Sequence, residues 1–173
     1  SGANSGAGVE VQGLDANYNL VTEVVNIGST GSTTFSRVFR ARMVDTLNTA
    51  NVVINVGGNL AATILANNGQ TLMAVYTVPA GKTAYLNQVN SGIDTKDKKA
   101  EVRVYAREDG GVFRTRDILT FQTNFVEKSF PVPIKFGAKT DIQLQAKGGS
   151  TDAAFSGNID LILVDNSCLR MRK

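Results

Sequence analysis

Residues 71–86, TLMAVYTVPAGKTAYL, most constrain what this chain can fold into. Two runs rich in β-branched and aromatic residues flank residues 79–82, where proline and glycine favour a tight turn. Because strands are short and end at such turn-forming residues, the segment predicts two strands joined as a hairpin. The same rhythm fills nearly all of the chain, so we expect an all-β fold.

About a dozen such runs follow one another at intervals of roughly eight to fifteen residues. They cover residues 9–12, 21–27, 34–44, 51–56, 61–65, 71–78, 83–89, 100–107, 112–121, 125–130, 140–146 and 157–164. This spacing is typical of an antiparallel β-sandwich, and we expect a jelly-roll-like arrangement of about 8–12 strands.

Alternation within the runs distinguishes strands from helices. In residues 102–107 the even positions are apolar, whereas the odd positions carry arginine or tyrosine. Residues 141–146 repeat the pattern, and a helical period would scatter their apolar side chains around the axis. Both runs therefore predict strands with one solvated face. The nearest candidate for a helix is residues 59–66.

Turn-forming residues lie between the runs. Residues 108–111, EDGG, predict a hairpin because Asp-Gly tolerates the positive φ of a tight β-turn. Residues 67–70, NNGQ, predict a second hairpin, and residues 79–82 predict a third. Residues 91–99 form the most charged segment, which we expect to be an exposed loop.

The length is that of one domain. A chain of 173 residues can bury about 70% of its unfolded surface without disulfides or metals. We expect a flexible N-terminal arm over residues 1–8, a β-sandwich domain over residues 9–166 and a short basic tail over residues 167–173. Cys168 is the only cysteine, so an intrachain disulfide is impossible and the fold must depend on its apolar core.

The charge distribution disfavours nucleic acid and membrane as partners. Eighteen Lys and Arg against fifteen Asp and Glu give a net charge of +3, mixed along the chain. Nucleic-acid modules instead concentrate positive charge on one face. No apolar run approaches the length of a membrane-spanning helix. We therefore expect no specific nucleic acid and no membrane among the partners.

Residue types needed for catalysis are scarce. The chain has no histidine, which excludes an imidazole base and zinc sites of the usual composition. Residues 81–83, GKT, match only the end of a phosphate loop, because Tyr76 stands where its first glycine is required. Acidic pairs at 94/97 and 160/165 fit solvated turns better than catalytic carboxylates or calcium ligands. We expect no enzyme activity, cofactor or metal.

Two pairs of arginines are the candidate functional residues: Arg40, Arg42, Arg114 and Arg116. Alternation places Arg40 and Arg42 on one strand face, and the opposite face then carries Phe35, Arg37, Phe39, Ala41 and Met43. Arg114 and Arg116 likewise share a face. One interpretation is a solvated surface that blunts edge pairing. The others are a protein–protein interface, where arginine is enriched, and contact with nucleic acid.

The order of several short stretches is also informative. They are residues 13–19 (GLDANYN), 21–25 (VTEVV), 34–38 (TFSRV), 71–86 and 155–165 (FSGNIDLILVD). In this order they resemble virion structural proteins of tailed double-stranded DNA phages and related marine viruses, over roughly residues 8–165. The resemblance transfers no site residues.

The resemblance implies a capsid decoration or cement subunit that acts by assembly. Its location would be the virion, after assembly in the host cytoplasm. Its partners would be the major capsid protein or other virion proteins, and copies of itself in a homo-oligomer, with a trimer favoured. A phage tail or fibre subunit is the next position implied.

A carbohydrate-binding β-sandwich is the alternative from a different class. It has less support from the sequence, because the chain has no tryptophan and three of its four tyrosines fall inside predicted strands. A hydrolase is disfavoured because the chain lacks histidine and any nucleophile motif.

Overall fold

The computed structural model describes residues 5–94, 99–122, 124–148 and 154–169. Within these residues the chain forms twelve strands and one short helix. They are β1 (Gly8–Asp15), β2 (Leu20–Asn26), β3 (Phe35–Met43), β4 (Val52–Val56), β5 (Asn59–Ile64), β6 (Val75–Thr77), β7 (Lys82–Ile93), β8 (Ala100–Arg107), β9 (Arg114–Phe121), β10 (Phe125–Phe136), β11 (Asp141–Gly148), β12 (Phe155–Asp165) and α1 (Asn166–Leu169). All strand pairs are antiparallel, and each predicted run overlaps one strand, so the all-β prediction is confirmed.

The chain divides into two compact units, Ser1–Met73 and Ala74–Lys173. The N-terminal unit contains a three-stranded sheet, β2-β1-β3, and the two-stranded sheet β4-β5. The C-terminal unit contains a three-stranded sheet, β10-β7-β12, and a four-stranded sheet, β6-β11-β8-β9. The domain expected over residues 9–166 thus spans both units. Their boundary falls inside the run predicted over residues 71–78, where no turn signal marks it.

The core of the C-terminal unit draws side chains from both of its sheets. Leu86 and Val89 of β7 are fully buried in one cluster with Val104 of β8. The other buried members of this cluster are Val78, Ala84, Ala106, Leu119, Phe136 and Ile142. The alternation predicted for β8 is confirmed, because its even positions are buried and its odd positions are half-exposed.

The N-terminal unit has a separate core. Its buried cluster joins Val9 and Val11 of β1 to Ala41 and Met43 of β3, and Phe35, Val52 and Ile64 complete it. β1 begins at Gly8, and the carbonyl of Ala7 accepts a 2.9 Å hydrogen bond from the amide of Ile27. The end of the predicted arm is therefore joined to the sheet.

Among the described residues, three hairpins connect strands that are adjacent in sequence and paired in the structure, and residues 16–19 form the first of them, between β1 and β2. Residues 108–111 join β8 to β9, as predicted, and the amide of Gly111 donates to the carbonyl of Glu108 at 2.8 Å. Gly57 and Gly58 join β4 to β5 with φ of 57° and 80°, which two-residue hairpins require. Residues 59–66, the nearest candidate for a helix, contain strand β5 over residues 59–64, in agreement with the run predicted over residues 61–65.

The other two predicted hairpins are wrong: a turn forms at residues 79–82, whereas the other turn lies at residues 65–68, where the amide of Asn68 donates to the carbonyl of Leu65 at 3.1 Å. At residues 79–82 the amide of Lys82 donates to the carbonyl of Pro79 at 3.3 Å, but β6 pairs with β11, and β7 with β10 and β12. At residues 67–70 the carbonyl of Gly69 instead accepts from the amide of Met43 at 2.7 Å. The loop expected over residues 91–99 begins later, because β7 continues to Ile93.

We predict that Gly13→Ala destabilises the N-terminal unit. Gly13 lies beside a register shift between β1 and β3, and an added Cβ would overlap the carbonyl of Arg37 and the ring of Phe35. Backbone must then move, which costs about 2 kcal/mol or more of the free energy of unfolding. Urea unfolding followed by circular dichroism measures this. Gly137→Ala is the matched control, because a Cβ there meets no atom within 4 Å; equal midpoints for the two variants would contradict the prediction.

Candidate functional site

Arg40 and Arg42 lie on the outer face of the β2-β1-β3 sheet. Residues directly opposite each other on neighbouring strands share a face. Three rows therefore share this face: Val24–Glu10–Arg42, Thr22–Gln12–Arg40 and Leu20–Leu14–Arg37. The third row is covered at its centre, because Leu14 is fully buried. The common face predicted for Arg40 and Arg42 is present, and we name this surface the arginine face.

Arg37 also lies on the arginine face, so its predicted place beside Ala41 is wrong. The register between β1 and β3 shifts twice, skipping Phe39 and then Ser36. Each extra residue reverses the alternation, so Val38 packs against the core cluster and Arg37 lies opposite Leu14. The guanidinium of Arg37 stacks 5.8 Å from the ring centre of Tyr18.

Arg42 is held within the chain, and Arg40 only weakly. The guanidinium of Arg42 donates to both carboxylate oxygens of Glu10 at 2.8 Å, and Gln12 also donates to Glu10. The hydrogen bond from Arg42 lowers the pKa of Glu10, and in return raises the pKa of Arg42. Arg40 is exposed and donates to Gln70 at 3.3 Å. Of the two, Arg40 has the side chain more available to a partner.

Arg114 and Arg116 lie on β9, the edge strand of the four-stranded sheet. The register between β8 and β9 skips Arg116, so this residue occupies a bulge, and Arg114 lies opposite Ala106. Arg116 donates to Glu108 at 3.3 Å and lies 6.0 Å from the ring centre of Phe136. A bulge and exposed arginines at an edge are devices that disfavour further strand pairing. The two arginine pairs belong to different units.

A cleft of about 1240 Å³ opens in the N-terminal unit. Its walls are residues 26–35, residues 50–57 and the apolar side chains of Val9 and Val11. The buried Asn48 holds one wall, since its amide donates to the carbonyls of Ala50 and Leu65 at 3.0 and 2.7 Å. Asn48 was not singled out in the sequence, because nothing local distinguishes a buried asparagine from a solvated one.

Glu23 is the one ionisable group among the described residues that line the cleft. It accepts from the amide and hydroxyl of Ser32 at 2.6 and 2.9 Å, and from the amide of Thr33 at 2.9 Å. These hydrogen bonds, led by the Ser32 amide, lower the pKa of Glu23 from 4.5 to about 2. The carboxylate therefore anchors a loop, and the cleft offers no second acid or base to share a proton with it.

A third surface was missed in the sequence. On the outer face of the β10-β7-β12 sheet, four rows of residues lie opposite one another: Phe125–Gly92–Ser156, Glu127–Asn90–Asn158, Ser129–Gln88–Asp160 and Lys135–Tyr85–Ile162. Asn87 has no partner in the register of β7 with β10 or with β12. Neither Asn87 nor Gln88 is buried, whereas the flanking residues Leu86 and Val89 are buried. We name this surface the amide face. The sequence feature that could have identified this face is NQVN at residues 87–90, because two of its three amide side chains lie within a predicted strand.

Of the two acidic pairs in the sequence, only Asp160 and Asp165 both lie in the part of the chain that the structure describes. No group of three or more His, Cys, Asp or Glu is placed to hold an ion there. Asp165 pairs with Lys82 at 2.8 Å, and Asp94 accepts from the amide of Ala154 at 3.0 Å. Asp97 lies outside the described residues, as do residues 170–173 of the predicted basic tail.

Comparisons with known proteins assign no family. The chain matches no protein-family model, and no curated protein or solved structure is significantly similar to it. Across the described residues, no helix is both long and apolar enough to traverse a membrane.

We predict that Arg40→Ala and Arg42→Ala have separable effects. Arg42→Ala should lower the melting temperature because it removes the partner of Glu10, whereas Arg40→Ala should change the free energy of unfolding by no more than about 0.5 kcal/mol. Thermal melts of the two variants test this. In a sedimentation titration, a loss of association of about ten-fold or more in Arg40→Ala would identify an interface. Unchanged association in both variants would mean that the arginine face is a solvated surface and not an interface.

We predict that Glu23→Gln destabilises the protein in a pH-dependent manner. A lowered pKa in the folded state means that the carboxylate stabilises the fold above its ordinary pKa of 4.5, and that this contribution is lost as pH falls towards about 2. The difference in melting temperature between wild type and variant should therefore be largest above pH 5 and vanish near pH 2. Glu108→Gln is the control, because Glu108 is exposed. A pH-independent difference would contradict the prediction.

Proposed function

We propose that the protein is a virus structural subunit, a capsid decoration or cement protein that stabilises the particle through contacts between copies and with the major capsid protein or other virion proteins. The proposal takes its class from the resemblance of residues 8–165 to virion structural proteins. It takes its mode of action, assembly instead of catalysis, from the surface of the chain.

The proposed architecture is a jelly-roll-like β-sandwich. It is supported in the C-terminal unit by the shared core, to which one sheet contributes Leu86 and the other Val104 and Ile142. Sheets that bury one face each against the other produce such a cluster. A sandwich suits a particle surface, because the outer faces remain available for contacts.

The observation that carries the proposal is the number of large apolar side chains left exposed in the N-terminal unit. Between residues 44 and 72 these are Val44, Leu47, Val53, Leu60, Leu65 and Leu72. Leu60 and Leu72 are 67% and 72% exposed. A run of exposed leucines and valines along one segment is compatible with a surface that a partner covers. We therefore propose that association covers this segment.

A free strand edge in the same segment supports association. β4 and β5 form a sheet of two strands, and among the described residues β4 pairs with no strand except β5. Two-stranded sheets are at best marginally stable on their own. The adjoining cleft offers a single carboxylate, Glu23, whose oxygens are already bonded, which favours assembly over catalysis.

We predict that the protein forms a homo-oligomer, with a trimer favoured, and sediments with purified capsid shells. The double variant Leu60→Ser and Leu72→Ser should lower the association constant at least about ten-fold, because burial of each leucine contributes roughly 1.5–3 kcal/mol. Its melting temperature should stay close to that of wild type at concentrations where both are monomeric. Light scattering over a concentration series measures the mass, and co-sedimentation measures binding to shells.

Val132→Ser is the matched control for this experiment, because Val132 is 84% exposed and lies in the other unit. Association should survive that change. A wild-type protein that stays monomeric at all concentrations and never sediments with shells would overturn the proposal. Sedimentation with tails or fibres in place of shells would move it to the alternative position, a tail or fibre subunit.

A further inference from the structure

The amide face has an unusual composition for the middle of a sheet. Asparagine is depleted in strands, because its short polar side chain competes for backbone hydrogen bonds. Nevertheless Asn87 and Asn90 lie in β7, the central strand of its sheet, and Asn158 lies opposite Asn90 on β12. Positions at which a sequence departs from local preference without a gain in packing are candidates for function.

The bulge at Asn87 increases the density of amides on this face. Without the extra residue, strand alternation would turn one of two successive side chains towards the core. Here Asn87 is exposed and Gln88 half-exposed, between the buried Leu86 and Val89. Bulges often re-aim side chains next to binding sites. Two neighbouring amides are thereby presented together.

Most of the hydrogen-bonding capacity of the amide face remains available. Among the described residues, two hydrogen bonds link its side chains, Gln88 to Asn90 at 2.9 Å and Asn158 to Asp160 at 3.4 Å. Each amide has two donors and a carbonyl acceptor, so many groups are left over. An apolar partner would bury these groups without hydrogen-bond partners, which is unfavourable. A ligand rich in hydroxyl groups could satisfy them.

The charge of the face argues against an anionic ligand. Glu127 and Asp160 contribute two carboxylates, and Lys135 is the one cation in its four rows. Phosphates, sulfates and nucleic acid would therefore be repelled in the centre of the face. The hydroxyl-rich ligand that fits is electrically neutral.

Aromatic rings lie at the two ends of the amide face. Phe125 is 57% exposed in the first row, and Tyr85 is half-exposed in the last. Seven residues of β7 separate these rows, or roughly 20 Å at the rise of a strand. A sugar ring has an apolar face of C–H groups that packs on aromatic rings, and a rim of hydroxyls that binds amides and carboxylates. Several linked sugars would span this distance.

We propose that the amide face binds a neutral oligosaccharide, laid along β7 between Phe125 and Tyr85. The tyrosine that the sequence places inside a strand is compatible with this role, because its row faces outward. Gly92 in the first row carries no side chain, and the hydroxyl of Ser156 occupies the space next to it, so Phe125 is the group of this row that a sugar ring would contact. This inference does not depend on the virion proposal.

The test is an NMR titration of ¹⁵N-labelled protein with neutral hexasaccharides of glucose, mannose and N-acetylglucosamine. At least one should shift backbone amides of β7, β10 and β12. Tyr85→Ala, and separately Asn158→Ala on the edge strand, should weaken that binding at least ten-fold. The matched control is Tyr105→Ala, because Tyr105 is a half-exposed tyrosine on the outer face of the other sheet of the unit. Its affinity should equal that of wild type.

Three results would overturn the proposal. The first is that none of the neutral hexasaccharides shifts these amides. The second is that both face variants, shown by their melts to be folded, bind as tightly as wild type. The third is that only anionic probes bind, namely hexagalacturonate or a short DNA duplex. Each leaves the association experiments with Leu60 and Leu72 unaffected, so the two proposals fail separately.

Discussion

Strand β7 is the element on which the C-terminal unit depends. It pairs with β12 on one side and β10 on the other, and contributes three fully buried side chains, Ala84, Leu86 and Val89, to the main core cluster. A central strand satisfies its backbone groups on both edges, so it is the most constrained part of a sheet. This strand also carries the asparagines and the glutamine of the amide face. Strand propensity therefore does not explain which residues occupy its outward positions.

Period-two alternation was enough to predict where the strands lie. It did not predict which face of the sheet each side chain occupies in strands that contain a bulge. β8 is regular at its buried positions, and its faces follow from the sequence alone. In β3 the extra residues Ser36 and Phe39 move Arg37 to the arginine face, and in β7 the extra residue Asn87 turns two amides outward. A bulge is defined by the pairing with the partner strand, which can lie far away in the sequence. The sequence pattern of one strand alone therefore does not show it.

Strand partners were equally hard to predict, for a related reason. The sequence predicts hairpins at both residues 108–111 and residues 79–82, yet only the first turn joins paired strands. Turn residues determine where the chain reverses, whereas burial of the following strands decides which neighbour each one takes. The candidate sites show the same limit. Arg40 and Arg42 could be placed on one face from their spacing, but the ion pair with Glu10 required the register of β1 against β3.

The division into two units has a consequence for how the protein is made. Each unit is one continuous stretch of chain, and the strand ladders and core of the N-terminal unit are formed within residues 5–73. Domains generally fold as units, the N-terminal one first, while the ribosome is still extending the chain. This unit can therefore complete its sheets and bury its core before β7 is synthesised. Its exposed leucines would then meet solvent, or a neighbouring nascent chain, before the rest of the molecule exists.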